Sequence, residues 1–150
     1  MTRIITTILT LIIGLLSFIS CGTQKEVASE KTGATLTVSI ANISSPKGKV
    51  YFSLFNSNET FTNRIPFKSK ISEVNKEQTR VSFTNIPKGT YAVMCFQDTN
   101  GNLKMDFDER YMPLEAYGIS NNPTLYGPPQ FEQLAFEVAG EDVSIVIVLQ

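Results

Sequence analysis

"TRVSFTNIPKGTYAVMCFQ", residues 79–97, decides the fold class. Its first half sets Val81 and Phe83 against Arg80, Ser82 and Thr84, the period of two that marks a half-buried strand. A Pro-Lys-Gly turn follows. The second half, "GTYAVMCFQ", is apolar on both faces and therefore belongs at the centre of a sheet. Outward from this pair the same period recurs. "TLTVSIANI" (35–43) places Leu36, Val38 and Ile40 opposite Thr35, Thr37 and Ser39, and "KVYFSLFN" (49–56) follows a turn at "SSPKGK". "QLAFEV" (133–138) and "DVSIVIVL" (142–149) are separated by "AGE", the signature of a hairpin turn. "FKSKISEV" (67–74) supplies a seventh strand. No segment carries a long 3.6-residue pattern with caps. Short strands at this spacing predict an all-β fold, an antiparallel Ig-like or transthyretin-like β-sandwich of about seven strands. One long loop, 98–130, interrupts it, and loops of that length are usually functional or held by something.

The chain begins "MTRIITTILTLIIGLLSFISCG". Arg3, an apolar run of about 16 residues, short for a span of roughly 20, and a small residue before Cys21 read as a signal peptide over 1–20, with an uncleaved N-terminal anchor as the rival reading. Ser20-Cys21-Gly22 matches a bacterial lipobox, with Phe18 where Leu is usual, so Cys21 is the expected lipidation site. Thr23 in place of Asp points to the outer membrane under the enteric sorting rule. Residues 21–33 hold too few apolar side chains to fold and read as the lipidated cysteine and a flexible tether. The sandwich domain then occupies 34–150, extracytoplasmic and lipid-anchored. With Cys21 lipidated, Cys95 is left alone in an apolar strand and reads as a small, inert core residue.

The 150 residues carry a net charge of -1, 42% hydrophobic residues, and neither His nor Trp. Lys and Arg are scattered, so no basic stripe suggests nucleic acid as a partner. Without His, the commonest general base and every Ser-His or Cys-His nucleophile are excluded. Acids do bunch: Asp98, Asp106, Asp108, Glu109 and Glu115 lie within 18 residues, four of them in "DTNGNLKMDFDE" (98–109). In an EF-hand-type calcium loop, oxygen ligands fall at positions 1, 3, 5, 7, 9 and 12. Asp98, Asn100, Asn102, the Lys104 carbonyl, Asp106 and Glu109 meet that spacing, with Asp108 as a substitute for Glu109. Hard oxygen donors favour Ca²⁺, at ~10⁻⁴ to 10⁻³ M for so few carboxylates. Against this, Leu103 stands where such loops need Gly for a left-handed turn. The same stretch also reads as a polar turn in which Asn and Asp bond to their own backbone.

"FTNIPKGTYAVMCFQDTNGNLKMD", "PLEAYGISNN" and "PPQFEQLAFEV", in that order, resemble the DUF2141 family of small secreted bacterial proteins, over roughly residues 34–149. "IPKGTY" is similar to the strand entry of transthyretin-type sandwich domains. The resemblance implies a secreted sandwich and brings no activity with it. No catalytic constellation is expected. The predicted function is a lipid-anchored binding or accessory module with an unknown protein or glycan partner, its loop ordered by structural Ca²⁺. The alternative is a carbohydrate-binding module using Tyr111, Tyr117 and Tyr126, a version that needs an exposed, coplanar pair among the three.

Overall fold

A computed structural model describes residues 33–75 and 79–150. The expected signal peptide, Cys21 and the tether up to residue 32 lie outside the described residues. Within them the chain forms β1 (Ala34–Ala41), β2 (Lys49–Phe55), α1 (Asn58–Thr62), β3 (Lys68–Glu73), β4 (Arg80–Ile86), β5 (Gly89–Asp98), β6 (Tyr117–Ile119), α2 (Phe131–Leu134), β7 (Phe136–Val138) and β8 (Val143–Val148). Strands β4-β1-β8 form one sheet and β3-β2-β5-β6 the other, with β7 beside the start of β5. This is an all-β sandwich. No described helix is long and apolar enough to cross a membrane.

The alternation read from the sequence sets the core. Leu36 and Val38 of β1 and Phe83 of β4 meet Phe52 and Leu54 of β2 and Val93 of β5 between the sheets, all fully buried. Each such side chain contributes roughly 1.5–3 kcal/mol. The period breaks once. Ala34 pairs with Ile86 but Leu36 with Phe83, so β4 carries one extra residue, and Asn85 absorbs it at φ 54°.

Three features depart from expectation. The β1–β8 ladder is parallel, from Leu36↔Val143 to Ala41↔Val148, although the other ladders are antiparallel. "QLAFEV" and "DVSIVIVL" do not form a hairpin. Gln133 and Leu134 end α2, β7 pairs with β5 through Tyr91↔Phe136, and β8 crosses to the other sheet. Gly140 does turn, at φ 109°, but the free edge of β1 offers β8 a face for Val143, Ile145 and Ile147 that three-residue β7 cannot. Finally, the interval 98–130 holds β6, which pairs with β5 from Met94↔Ile119 to Phe96↔Tyr117.

Because β5 is apolar on both faces, its sheet also has an apolar outer surface. At one end Phe55, Ala92 and Ile119 are covered by Phe61 next to α1's end and by Phe131 and Leu134 of α2. Phe61 stands edge-on to Phe55 at 5.3 Å and to Phe131 at 6.1 Å. The helical cover stops there. The next rows of the same face are Ser53–Met94 and then Ile71–Tyr51–Phe96–Tyr117, one residue from each of four strands.

Candidate functional site

The uncovered rows form the floor of an open groove of about 990 Å³, with Ser53, Met94, Phe96 and Tyr117 at its base. Four strands at a spacing of about 4.8 Å make the Ile71-to-Tyr117 row roughly 14 Å wide. Tyr51 and Phe96 stack at 5.2 Å with planes 14° apart. Near-parallel rings at this distance are offset-stacked, an arrangement aromatic pairs favour. One wall is Phe61, Thr62, Arg64 and Pro66; another is Pro128, Pro129 and Gln130. The third comes from the acidic loop itself, through Leu103, Lys104, Met105 and Phe107.

The first wall is fixed by the ends of α1. Ser57 Oγ accepts the Thr60 N–H at 3.2 Å. At the other end Arg64 N–H donates to Phe61 O and Ile65 N–H to Thr60 O, a Schellman closure. The residue after the helix cap is left-handed in this motif, usually Gly; here it is Arg64, at φ 55°.

The loop wall is held by its own polar side chains. Asp98, only 2% exposed, accepts the Gly101 N–H on Oδ1 at 2.6 Å and the Leu103 N–H on Oδ2 at 2.9 Å. Asn100 Oδ1 takes the Asn102 N–H, and Asn102 Oδ1 takes the Lys104 N–H. Both amide groups then donate to the Asp106 carboxylate, at 2.7 Å from Asn100 and 2.8 Å from Asn102. Three of the six residues expected as metal ligands, Asn100, Asn102 and Asp106, are thus one hydrogen-bonded cluster, and Asp98 separately holds the backbone of the turn between them. Lys104 joins the cluster through its backbone N–H. Glu109 is exposed and takes no part in these bonds. Leu103 does adopt the left-handed conformation, φ 66°, with Gly101 beside it at φ 79°. Among the described residues no three acidic or thiol side chains gather into a metal-holding group. An ion between Asp98 and Asp106 would therefore depend on the two Asn oxygens, and both amides would have to turn by about 180° to present them.

Sequence reasoning missed Glu115 as the brace of this loop. It is 7% exposed, and its two oxygens accept the Thr99 N–H at 3.0 Å and the Asp106 N–H at 3.4 Å, tying the loop's two arms together. The rest of "EAYGISNN" continues the task. Ser120 Oγ accepts the Val93 N–H at 3.0 Å and donates to Leu134 O at 2.6 Å. Asn121 donates to Ala135 O, and Asn122 bonds both Val146 O and the Val148 N–H, covering the edge of β8. A carboxylate, a hydroxyl and two amides between apolar residues were the signal that could have found it.

Of the three tyrosines, Tyr117 lies half-buried in the groove, whereas Tyr111 and Tyr126 are 86% and 98% exposed. None of the three makes a ring contact among the described residues. Cys95 is 3% exposed, its Sγ 3.5 Å from Gly118 O, and burial pushes its thiol up to about 12. It is the inert core residue expected.

No curated protein and no solved structure shows a match to this chain. A family profile described as an uncharacterized protein conserved in bacteria matches residues 38–146, through the sandwich, the acidic loop and the Ser-Asn-Asn clamp. The chain belongs to the DUF2141 family.

Proposed function

We propose that the domain is a non-catalytic binding or accessory module, held outside the cytoplasm by a lipid on Cys21, and that the groove over β2, β5 and β6 is its ligand site. The observation that carries this reading is the interruption of cover on one sheet face. Helices α1 and α2 bury the Phe55–Ala92 end, Met94 packs half-buried at its margin, and Phe96 and Tyr117 stay half-exposed between three walls. Apolar surface left concave and walled is the usual form of a ligand site.

In the same reading the acidic loop is the adjustable wall, and Ca²⁺ orders it through Asp98, Asp106, Asn100 and Asn102. Support comes from the buried Asp98 and from Leu103 holding the backbone shape that calcium loops give to Gly. Glu115 braces the loop, a role outside the ion's coordination. The carbohydrate alternative rests on exposed Tyr111 and Tyr126 acting singly.

Two measurements test the proposal. The neutral apolar fluorophore N-phenyl-1-naphthylamine gains emission on binding residues 22–150 and loses it with Phe96→Ser; no gain with the folded domain defeats the groove. Thermal unfolding in 1 mM CaCl₂ against EGTA tests the ion. A Kd of about 10⁻⁴ M gives roughly 1.4 kcal/mol, or about 4–8 °C, abolished by Asp106→Ala. An unchanged Tm at 10 mM Ca²⁺ removes the metal from the account.

A further inference from the structure

Three charged side chains line the groove, Arg64, Lys104 and Glu132, so cations outnumber anions at its rim. Three of the nine described basic side chains are held by a partner. Lys49 pairs with Glu73 at 3.0 Å, Arg110 with Asp108 at 3.5 Å, and Lys68 Nζ donates to Thr84 O at 2.7 Å. Among the described residues the Arg64 guanidinium and the Lys104 ammonium have no such bond, as is true of Lys47, Lys70, Arg80 and Lys88; what sets the two apart is that both line the groove, exposed. A second, independent feature marks the same two walls. Three described residues other than Gly and Asn sit at positive φ, namely Arg64, Leu103 and Tyr111, and two of them line the groove. At Arg64 the left-handed cap would be met at no steric cost by Gly, and strain of that kind persists where the side chain is needed for something else.

We propose that the groove takes a small amphiphilic anion, its apolar body on Met94, Phe96 and Tyr117 and its anionic group between Arg64 and Lys104. The inference rests on the groove being a ligand site and adds the chemical class of the ligand. The apolar floor supplies affinity without direction. Two unpaired cations at the mouth favour a negative end there and leave the tail pointing onto the sheet. Being at the rim, they are screened by salt, whereas the apolar contacts are not.

The test is displacement of N-phenyl-1-naphthylamine from residues 22–150 by decanoate and by decanol, which share a chain and differ in charge. Decanoate is expected to displace the probe at about five- to tenfold lower concentration, although the alcohol is the more apolar molecule, and the preference is expected to shrink in 0.5 M NaCl. Arg64→Gly with Lys104→Gln should abolish the preference, read as the ratio of the acid and alcohol concentrations that displace half the probe. Arg64→Gly alone should melt no lower than the parent, separating lost recognition from lost folding. Equal displacement by acid and alcohol, or a preference that survives the double substitution, overturns this inference while the groove stands. A probe that never binds overturns the groove, and this inference with it.

Discussion

Replacing Ser120 with alanine removes one oxygen and leaves two buried backbone groups without a partner. Ser120 is 1% exposed, and Val93 and Leu134 are fully buried, so water has no route to either group. The hydroxyl takes the Val93 N–H at 3.0 Å and gives its proton to Leu134 O at 2.6 Å, joining β5 to the end of α2 through the loop after β6. Each orphaned group costs about 1–2 kcal/mol, and no lost packing of comparable size is involved, so Ser120→Ala should cost about 2–4 kcal/mol. For a domain of this size about 1 kcal/mol moves Tm by roughly 3–6 °C, giving a fall of roughly 6–24 °C by calorimetry or circular dichroism. Because the hydroxyl holds the cover over the Phe55–Ala92 end, amides of α2 should also lose protection in hydrogen exchange before those of β1. A fall under about 3 °C, or uniform loss of protection, would refute the view that this motif is a clamp.

Other expectations follow from single contacts. A Cβ on Gly118 would stand 2.4 Å from Ile147 Cγ2 and 3.0 Å from Val148 O, so Gly118→Ala should lower stability by about 1–3 kcal/mol in urea unfolding, with the m-value unchanged. Leu103→Gly relieves the left-handed backbone at φ 66° and should raise the Ca²⁺-induced Tm shift above the parent's in parallel melts. The Cys95 thiol, pushed up to about 12 by burial, binds its proton more tightly folded than unfolded. Its stabilisation is therefore complete below about pH 9 and is lost as pH rises toward 12, at up to about 1.4 kcal/mol per pH unit. Cys95→Ala should flatten the alkaline limb of a stability–pH curve, with Tyr91, also raised by burial, supplying the remainder.

Period-two patterning makes the sandwich visible in the sequence, because Leu36, Val38, Phe83 and their partners have one core to face. β5 was identifiable as central for the same reason: its outer residues Ala92, Met94 and Phe96 need cover too. Pairing was less visible. Nothing in "DVSIVIVL" distinguishes a hairpin with β7 from a parallel ladder with β1, since both satisfy Val143, Ile145 and Ile147. β6, only three residues with a central Gly, is too short to show a period; its identity comes from Gly118 fitting against Ile147. In the loop, Asn100, Asn102 and Asp106 bond to one another and Asp98 caps the turn between them, bonds that a polar turn makes without any ion. Glu115 was hidden because the bond it makes to Thr99 spans a sequence gap of 16. The groove was hidden more deeply, being the place where α1 and α2 stop, which depends on lengths and directions of chain that no local pattern records.

The central claim is that the open end of the β2-β5-β6 face is where this domain binds. The most direct test is a ¹⁵N–¹H correlation spectrum of residues 22–150 titrated with N-phenyl-1-naphthylamine. The predicted result is a contiguous set of shifted amides at Ser53, Met94, Phe96 and Tyr117 and along 103–107, with the opposite sheet unmoved. Shifts centred instead on the exposed Val146 and Val148 of β8, or none at saturating probe, would contradict it.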